Sequence, residues 1–238
     1  MGKDIDMCGF IRYQAYRYID IEYVGVKMQG VKISELTLRR LPKYRQYLIK
    51  LRKEGVEYTS ASEISRELDV HHTQVRKDLQ ATGLRGIPKV GHRVEDLITG
   101  IEEFLNWNNT SDAFLVGVGH IGRALLNYEG FERVGIKIVA AFDIDPEITG
   151  TTILETPVFD LSKLVDLGNR LHTRVGIITT TPSAAQDVAE KMVEAGIIAI
   201  WNFTPVKLKL SENIIVENAN IYPSLAVLSH RVAEYLKK

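Results

Sequence analysis

Residues 114–125 read FLVGVGHIGRAL, an apolar strand-like run that passes through three glycines into a helical segment. Gly117, Gly119 and Gly122 have the G-x-G-x-x-G spacing, which in this setting is typical of a turn that binds a dinucleotide pyrophosphate. The first glycine permits the tight turn, the second lets the backbone approach the anion, and the third lets the helix pack on the strand. The anion would face the start of the helix. This stretch predicts an α/β domain with a nucleotide site at the turn.

An acidic residue follows at the expected distance from the turn. Asp143 ends the next apolar run, 21 residues after Gly122, where a carboxylate would bind the adenosine ribose hydroxyls. The next residues, IDPE, supply no arginine for a 2′-phosphate, so the pattern favours NAD(H) over NADP(H). Two alternatives stay open: a domain that has lost its ligand, and one that binds another nucleotide such as coenzyme A.

Strand-like and helical segments alternate from Asp112 to about residue 218, which predicts a parallel sheet covered on both faces. The expected strands are 113–117, 136–143, 157–159, 175–181, 199–203 and 213–218, and the expected helices are 121–128, 160–168 and 183–195. A last helix, 222–238, has no sheet after it to cover its apolar stripe, which consists of Leu225, Leu228, Val232, Tyr235 and Leu236.

The segment before the sheet has a helical pattern. From Ser34 onward an amphipathic helix is expected to end at Gly55, with a buried stripe made of Leu38, Leu41, Leu48 and Leu51. Ser60 and Glu63 have capping-box spacing at the start of a second helix, and a third follows a short break after residue 70. Two short helices joined by a tight turn indicate a helix-turn-helix.

The third helix exposes side chains suited to a DNA major groove, namely Gln74, Arg76, Lys77 and Gln80. The following GLRGIPKVGHRV is typical of a β-hairpin wing that lies along the DNA backbone or in the minor groove. Residues 30–100 carry 14 basic and nine acidic residues, whereas residues 101–238 carry 12 and 17. This asymmetry favours polyanion binding by the first part of the chain. A small helical domain with a solvated basic face is the alternative.

Composition and the reactive side chains restrict the class of protein. Cys8 is the only cysteine, no apolar run reaches membrane-spanning length, and the start has no secretory signal, so a cytoplasmic location without membrane contact is predicted. No metal-ligand cluster is visible, and His172 and His230 have no paired carboxylate at a readable spacing. A dehydrogenase would also need a substrate region, yet only one helix follows the sheet. We therefore expect a dinucleotide sensor and not an enzyme, with an NAD-dependent oxidoreductase as the alternative.

Several stretches in the same order resemble one family over residues 32–232: TLRRLPKYRQYL, VRKDL, GVGHIGRAL, NYEGF, AAFDIDPE, AAQDVAEKMVEAGI and WNFTPVKL. They are similar to those of Rex, the redox-sensing transcriptional repressors. The resemblance implies a homodimer that holds palindromic operator DNA when NADH is scarce and releases it when NADH binds. It also implies an α/β fold with a winged-helix domain, a Rossmann-like domain for NADH or NAD+, and a domain-swapped C-terminal helix. The corresponding divisions are residues 1–29 as a flexible extension, 30–100 as the winged-helix domain, 101–218 as the Rossmann-like domain and 219–238 as the C-terminal helix.

The resemblance also assigns roles to residues. Asp143 would bind the adenosine ribose, Thr180 and Pro182 the middle of the cofactor, and Tyr128 and Phe203 its nicotinamide end. The expected cofactor set is Gly117, Val118, Gly119, His120, Ile121, Gly122, Tyr128, Asp143, Thr180, Thr181, Pro182, Asn202 and Phe203. The expected DNA-binding set is His72, Gln74, Arg76, Lys77, Gln80, Arg85 and Lys89.

The chain departs from the family pattern at a few positions. Gln46 and Asn220 stand where many members have an arginine and an aspartate proposed to link the DNA-binding module to the partner's cofactor pocket. Ala81–Thr82 replaces a tyrosine-phenylalanine pair, and Ile87–Pro88 replaces a basic pair in the wing. We expect these changes to affect operator preference and the strength of redox coupling, and not the architecture.

Overall fold

The structure, a computed structural model, describes residues 33–219 and 221–237. The extension 1–29, with Cys8, and Asn220 lie outside the described residues. The described chain forms two compact units, and the division between them falls between residues 109 and 110. The predicted division after residue 100 falls inside a helix, and the structure keeps that helix whole in the first unit.

The described part of the first unit, from residue 33 onward, contains four helices and a small two-stranded sheet. The helices are α1 (Glu35–Lys53), α2 (Ala61–Leu68), α3 (His72–Ala81) and α4 (Val94–Phe104). The strands β1 (Tyr58–Thr59) and β2 (His92–Arg93) pair antiparallel. The capping box predicted at the start of α2 is confirmed, because Ser60 accepts from the Glu63 N–H and the Glu63 side chain accepts from the Ser60 N–H. Gly55, with φ +76°, follows the end of α1 as predicted.

One hydrophobic core holds the four helices together. Leu41, Leu48 and Leu51 of α1 are buried in it together with Ile64 of α2 and side chains of α3 and α4. Leu38, predicted to share this stripe, is instead exposed. The inward position of that first turn is taken by Thr37, whose hydroxyl donates to buried Asp78.

The second unit is built on a seven-stranded sheet with the order β5-β6-β4-β3-β7-β8-β9. Its strands are β3 (Ser111–Val116), β4 (Ile136–Asp143), β5 (Thr152–Ile153), β6 (Thr156–Asp160), β7 (Val175–Ile178), β8 (Ala199–Asn202) and β9 (Ile215–Asn218). The helices are α5 (His120–Leu126), α6 (Leu164–Leu171), α7 (Ala185–Glu194) and α8 (Tyr222–Tyr235). All strands are parallel except β5, which pairs antiparallel with β6 and was not predicted.

Helices cover the two faces of the sheet, as predicted. Phe114 and Val116 of β3 face α6 and α7, whereas Ala113 and Leu115, the alternate residues, face the side on which Leu125 of α5 packs. The strand order reverses between β3 and β7, because α5 leads to one side of β3 and α6 to the other. In open α/β sheets, ligands bind at such a switch point beyond the carboxyl ends of the strands.

The C-terminal helix α8 has no buried residue among its described positions. The predicted apolar stripe is exposed throughout: Leu225 is 50% exposed, Leu228 59%, Val232 49%, Tyr235 78% and Leu236 77%. An amphipathic helix of this kind is stabilised when its apolar face is covered.

Candidate functional site

The glycine turn follows β3 at the switch point. The Gly117 N–H donates to the Phe142 carbonyl of β4 at 2.9 Å, and Gly117 has φ +99°, in the left-handed region that favours glycine. A Cβ at Gly122 would collide with the Gly117 carbonyl oxygen, whereas a Cβ at Gly119 would meet no heavy atom within 4 Å. The turn therefore closes tightly on itself while its middle glycine leaves open space in front of the backbone.

Asp143 joins this turn directly. Its Oδ2 accepts the Val118 N–H at 2.6 Å, and its Oδ1 accepts the N–H groups of Ile144 and Asp145 at 2.7 and 3.0 Å. A carboxylate with two oxygens has about four acceptor positions, so it can also accept hydroxyl donors. The structure thus brings Asp143 and the glycines together, as the sequence spacing predicts.

Thr179 is a residue of this site that sequence reasoning missed. Its hydroxyl donates to the carbonyls of Gly117 and Val116, at 2.6 and 3.1 Å, and a Cβ at Gly117 would lie 2.8 Å from the Thr179 carbonyl oxygen. Thr179, directly after β7, therefore fixes the position of the first glycine of the turn. The sequence placed Thr179 inside the expected strand 175–181, whereas β7 ends at Ile178, and the bond from Thr179 to the end of β3 was not predicted.

The other residues predicted after β7 lie at the same edge of the sheet. Thr181 and Pro182 are exposed and Thr180 is half-buried, and the Thr181 and Ser183 hydroxyls lie 3.1 Å apart. Beside the turn, His120 and Ile121 are exposed, whereas the Val118 side chain is fully buried. Val118 can therefore contribute only its backbone to a ligand.

The side chain of Asn202, another residue of the expected cofactor set, is bonded within the protein. It is fully buried, its Nδ2 donates to the Val206 carbonyl and to Asn218 Oδ1, and its Oδ1 accepts from the N–H and hydroxyl of Thr204. Every polar atom of this amide is engaged within the protein. The Asn202 side chain therefore ties β8 to β9 and to the following loop, and the contact of Asn202 with a cofactor stays a prediction.

Tyr128 and Phe203 are the two ends of an aromatic row. Tyr128 meets Phe131 at a centroid distance of 5.1 Å, Phe131 meets Trp201 at 5.8 Å, and Trp201 meets Phe203 at 4.5 Å. Phe131 and Trp201 also line an apolar cleft of about 230 Å³. The sequence predicted the ends of this row but not the two residues between them.

The predicted DNA-binding side chains of α3 point mostly to solvent. His71 caps this helix by accepting the Thr73 N–H, and His72, Arg76, Lys77 and Gln80 are exposed. Arg76 and Lys77 form no ion pair with another described residue. Because these charges are not neutralised within the described chain, they are available to phosphate.

Gln74 differs from its neighbours because Asp78 holds it. Asp78 is 1% exposed and accepts from Gln74 Nε2 at 2.8 Å, from Thr37, from Tyr44 at 2.7 Å, and from Arg40 at 2.6 and 2.9 Å. Burial alone would raise the pKa of Asp78, but these hydrogen bonds outweigh it and leave the pKa below its ordinary value. This network was not predicted, and it fixes α3 on α1.

The wing residues Arg85 and Lys89 are exposed on the hairpin after α3.

Among the described residues, no group of three or more His, Cys, Asp or Glu side chains is arranged to hold a metal ion. No helix within 33–219 and 221–237 combines the length and apolarity needed to cross a membrane.

Comparison with known protein families gives one match for each of the two units. A family described as "Putative DNA-binding protein N-terminus" matches residues 32–80, and one described as "CoA binding domain" matches residues 108–206. The redox-sensing transcriptional repressor Rex of Porphyromonas gingivalis is 40% identical over 201 residues, covering 84% of this chain and 92% of that protein. The chain belongs to the Rex family.

Other Rex proteins agree. The repressor of Bacteroides fragilis is 38% identical, with 84% of this chain and 91% of that protein covered, and that of Treponema denticola is 41% identical, with 81% and 91% covered. The Rex-family repressor RSP in complex with NAD+ and operator DNA has a TM-score of 0.81 at 34% identity, over 87% of this chain and 95% of that one. RSP with NADH has a TM-score of 0.79 at 34% identity, over 87% and 97%.

Within this Rex-family fold, Gln46 is exposed on α1, and its predicted counterpart Asn220 lies outside the described residues. The expected effect of these two residues on redox coupling therefore stays a prediction. The fold class, with a DNA-binding unit followed by a Rossmann-like unit, is confirmed.

Proposed function

We propose that this chain is a redox-sensing transcriptional repressor that binds operator DNA and is released when NADH binds. The observation that carries the proposal is the bond from the Val118 N–H to Asp143, because it joins the phosphate-binding turn to the ribose-binding carboxylate. The Rex relatives, and the RSP complexes with NADH and with NAD+ and operator DNA, support it.

The residues at the switch point fit NADH. Gly119 leaves room for a pyrophosphate against the backbone, and Asp143 retains acceptor capacity for ribose hydroxyls. Gly117, Gly122 and the Val118 backbone shape the turn. His120, Ile121, Thr180, Thr181 and Pro182 are accessible around it, and Tyr128 and Phe203 are proposed for the nicotinamide end.

The bound dinucleotide acts as a signal in this proposal, and the protein distinguishes its two forms by charge. Oxidised nicotinamide carries a positive charge that reduced nicotinamide lacks. A dry aromatic site penalises the cation through desolvation unless an anion compensates it. To change the population from mostly DNA-competent to mostly released, NADH must favour the released form by about 5.5 kcal/mol in total.

DNA binding is assigned to the first unit. Arg76 and Lys77 on α3 would meet phosphates and guanine edges, with His72 and Gln80 beside them, and Arg85 and Lys89 would contact the DNA from the wing. Gln74 would also contact the DNA, although its amide nitrogen already donates to Asp78. A dimer would place two α3 helices on a palindromic operator.

The exposed stripe of α8 supports a homodimer. A 14-residue helix with no buried side chain gains stability from a partner surface, and a second copy of this chain supplies one if α8 is exchanged between protomers. We further propose a cytoplasmic protein without catalytic activity, since its relatives are named as repressors.

The deciding experiment is a DNA titration at fixed ionic strength with NADH, NAD+ or neither, using a palindromic duplex selected by the protein from a random pool. We expect NADH to weaken DNA binding in a saturable way and NAD+ to act far less. Equal effects of the two forms contradict the proposal.

Coenzyme A is a second candidate ligand, because residues 108–206 match a family described as a CoA binding domain. A competition experiment distinguishes the two ligands. If coenzyme A displaces NADH at a similar concentration and releases DNA, the result favours coenzyme A as the ligand. An oxidoreductase, the remaining alternative, would consume NADH in the presence of a substrate.

A further inference from the structure

The hairpin after α3 ends in an apolar tip. Ile87 and Val90 are each 51% exposed, and Pro88 and Lys89 between them are exposed as well. We call residues 87–90 the wing tip. Two branched apolar side chains are thus exposed within one four-residue turn, and their burial against a bound partner would be favourable.

The wing tip has a defined backbone shape. The Ile87 N–H donates to the Gly91 carbonyl at 2.6 Å, and the Val90 N–H donates to the Ile87 carbonyl at 3.1 Å. Pro88 occupies the second position of this turn and Lys89, with φ +66°, the third, which is the pattern of a type II turn. Proline restricts the backbone, so little ordering is needed when the tip meets a partner.

The base of the hairpin is anchored in its own unit. Leu84 packs on the core over Gly100, where a Cβ would collide with the Leu84 side chain. On the returning arm, a Cβ at Gly91 would collide with the Thr59 carbonyl oxygen. The wing tip therefore projects from a fixed base.

The charged residues of the hairpin segment itself are all basic, although the last of them, Arg93, is paired at 4.0 Å with Glu57, just before β1. The sequence has no acidic residue between Asp78 and Glu95, whereas Arg85, Lys89 and Arg93 lie in that interval. Arg85 and Lys89 form no ion pair with another described residue. These charges draw the tip to a polyanion, while Ile87 and Val90 require an apolar surface on that same polyanion.

The minor groove of DNA has both properties, because its walls are formed by the C–H groups of the deoxyriboses. Its phosphates lie at the rim, and apolar side chains are known to enter it. An A·T pair presents only acceptors on the floor of the groove, whereas a G·C pair adds the guanine amino group. An aliphatic side chain has no acceptor for that amino group, which would lose its water without a replacement.

We propose that the wing tip selects A·T pairs in the minor groove through Ile87 and Val90, with Arg85 and Lys89 on the flanking phosphates. This inference rests on the proposed function, which places α3 in the major groove. It goes beyond that function because it assigns a specificity to two aliphatic residues.

The test uses 2,6-diaminopurine, which replaces adenine and adds an amino group in the minor groove while the major-groove groups of the pair stay the same. Each adenine of the selected operator is replaced in turn, and the full-length wild type is compared with the double variant Ile87→Ser/Val90→Ser. Ile198→Ser is the matched control, because Ile198 is 46% exposed in the other unit.

We expect the wild type and the control to bind about tenfold more weakly when the replaced adenine lies under the tip. The double variant should be insensitive to the replacement there, and its salt slope should equal that of the wild type because no charge was removed. Sensitivity that persists in the double variant, or a wild type that tolerates the replacement at every position, overturns the inference. A wild type that selects no duplex overturns the proposed function as well, so the two failures are distinguishable.

Discussion

The Val118 N–H donates to Asp143 Oδ2 at 2.6 Å, although the two residues are 25 positions apart in the chain. One carboxylate thus holds the glycine turn from the neighbouring strand and keeps its remaining acceptor positions for a ligand. This bond connects the shape of the turn to the proposed recognition of ribose by Asp143.

Asp143→Asn should weaken NADH binding by about 2 kcal/mol, roughly 30-fold in Kd, because charge-assisted bonds to the ribose and to the turn become neutral or are lost. NADH fluorescence titration measures this. Asp160→Asn is the matched control, since Asp160 accepts the Ser162 N–H at the end of the adjacent strand β6. An equal loss in both variants would argue against the role of Asp143.

Gly119→Ala should fold as the wild type does but bind NADH at least about tenfold more weakly, because the new methyl group fills the space of the pyrophosphate. The free protein has no heavy atom within 4 Å of that methyl position. Gly122→Ala should instead lower the thermal unfolding midpoint, because its methyl group collides with the Gly117 carbonyl. Unchanged NADH affinity in Gly119→Ala would contradict the proposed site.

Thr179→Val removes the hydroxyl that binds the Gly117 carbonyl and keeps the shape of the side chain. The loss of this hydrogen bond, about 1 kcal/mol, should make the turn less rigid and weaken NADH binding roughly fivefold. Thr179→Ser should restore the affinity, since serine retains the hydroxyl. Operator affinity in the absence of NADH should be the same in both variants, and a parallel loss of DNA binding would indicate general destabilisation.

Asp78→Asn should destabilise the first unit by about 3 kcal/mol, because Arg40 and Tyr44 lose a buried charged partner. Hydrogen exchange of the α3 amides measures this, and operator affinity should fall with it. Glu67→Gln is the control, because the exposed Lys50–Glu67 pair contributes little. If the α3 amides of the Asp78→Asn variant are as well protected from hydrogen exchange as those of the wild type, the role of this network is refuted.

The stability of the first unit should also decrease in mild acid through His92. Burial lowers the pKa of His92 below its ordinary value of 6.5, so the folded state favours the neutral ring. As the pH falls below about 6.5, the unfolded chain binds the proton more readily, and the stability present above this pH is progressively lost. His92→Gln should lose less stability between pH 7.5 and 5.5, measured by hydrogen exchange of α4. An equal loss in variant and wild type would exclude His92 as the cause.

Local patterns explain which parts of the fold and the sites could be predicted. The glycine spacing, the position of Asp143 and the alternation of strands and helices are short-range features whose physical requirements are the same wherever they occur. The Ser60–Glu63 capping box is confirmed for the same reason. β5 was missed because two residues, Thr152 and Ile153, carry too little pattern.

The sequence by itself determined the winged-helix and doubly wound architecture, the glycine turn with Asp143 beside it, and the exposed apolar stripe on α8. Only the tertiary structure decided that Thr179 clamps Gly117 from 62 residues away, that Asp78 holds Gln74 and Arg40, and that Asn202 is sealed inside the sheet. The physical reason is that Thr179 and Asp78 bond to residues 62 and 38 positions away, and that the shorter-range bonds of Gln74 and Asn202 depend on how their segments are packed. Their geometry exists only after the core has packed and excluded water from the polar groups.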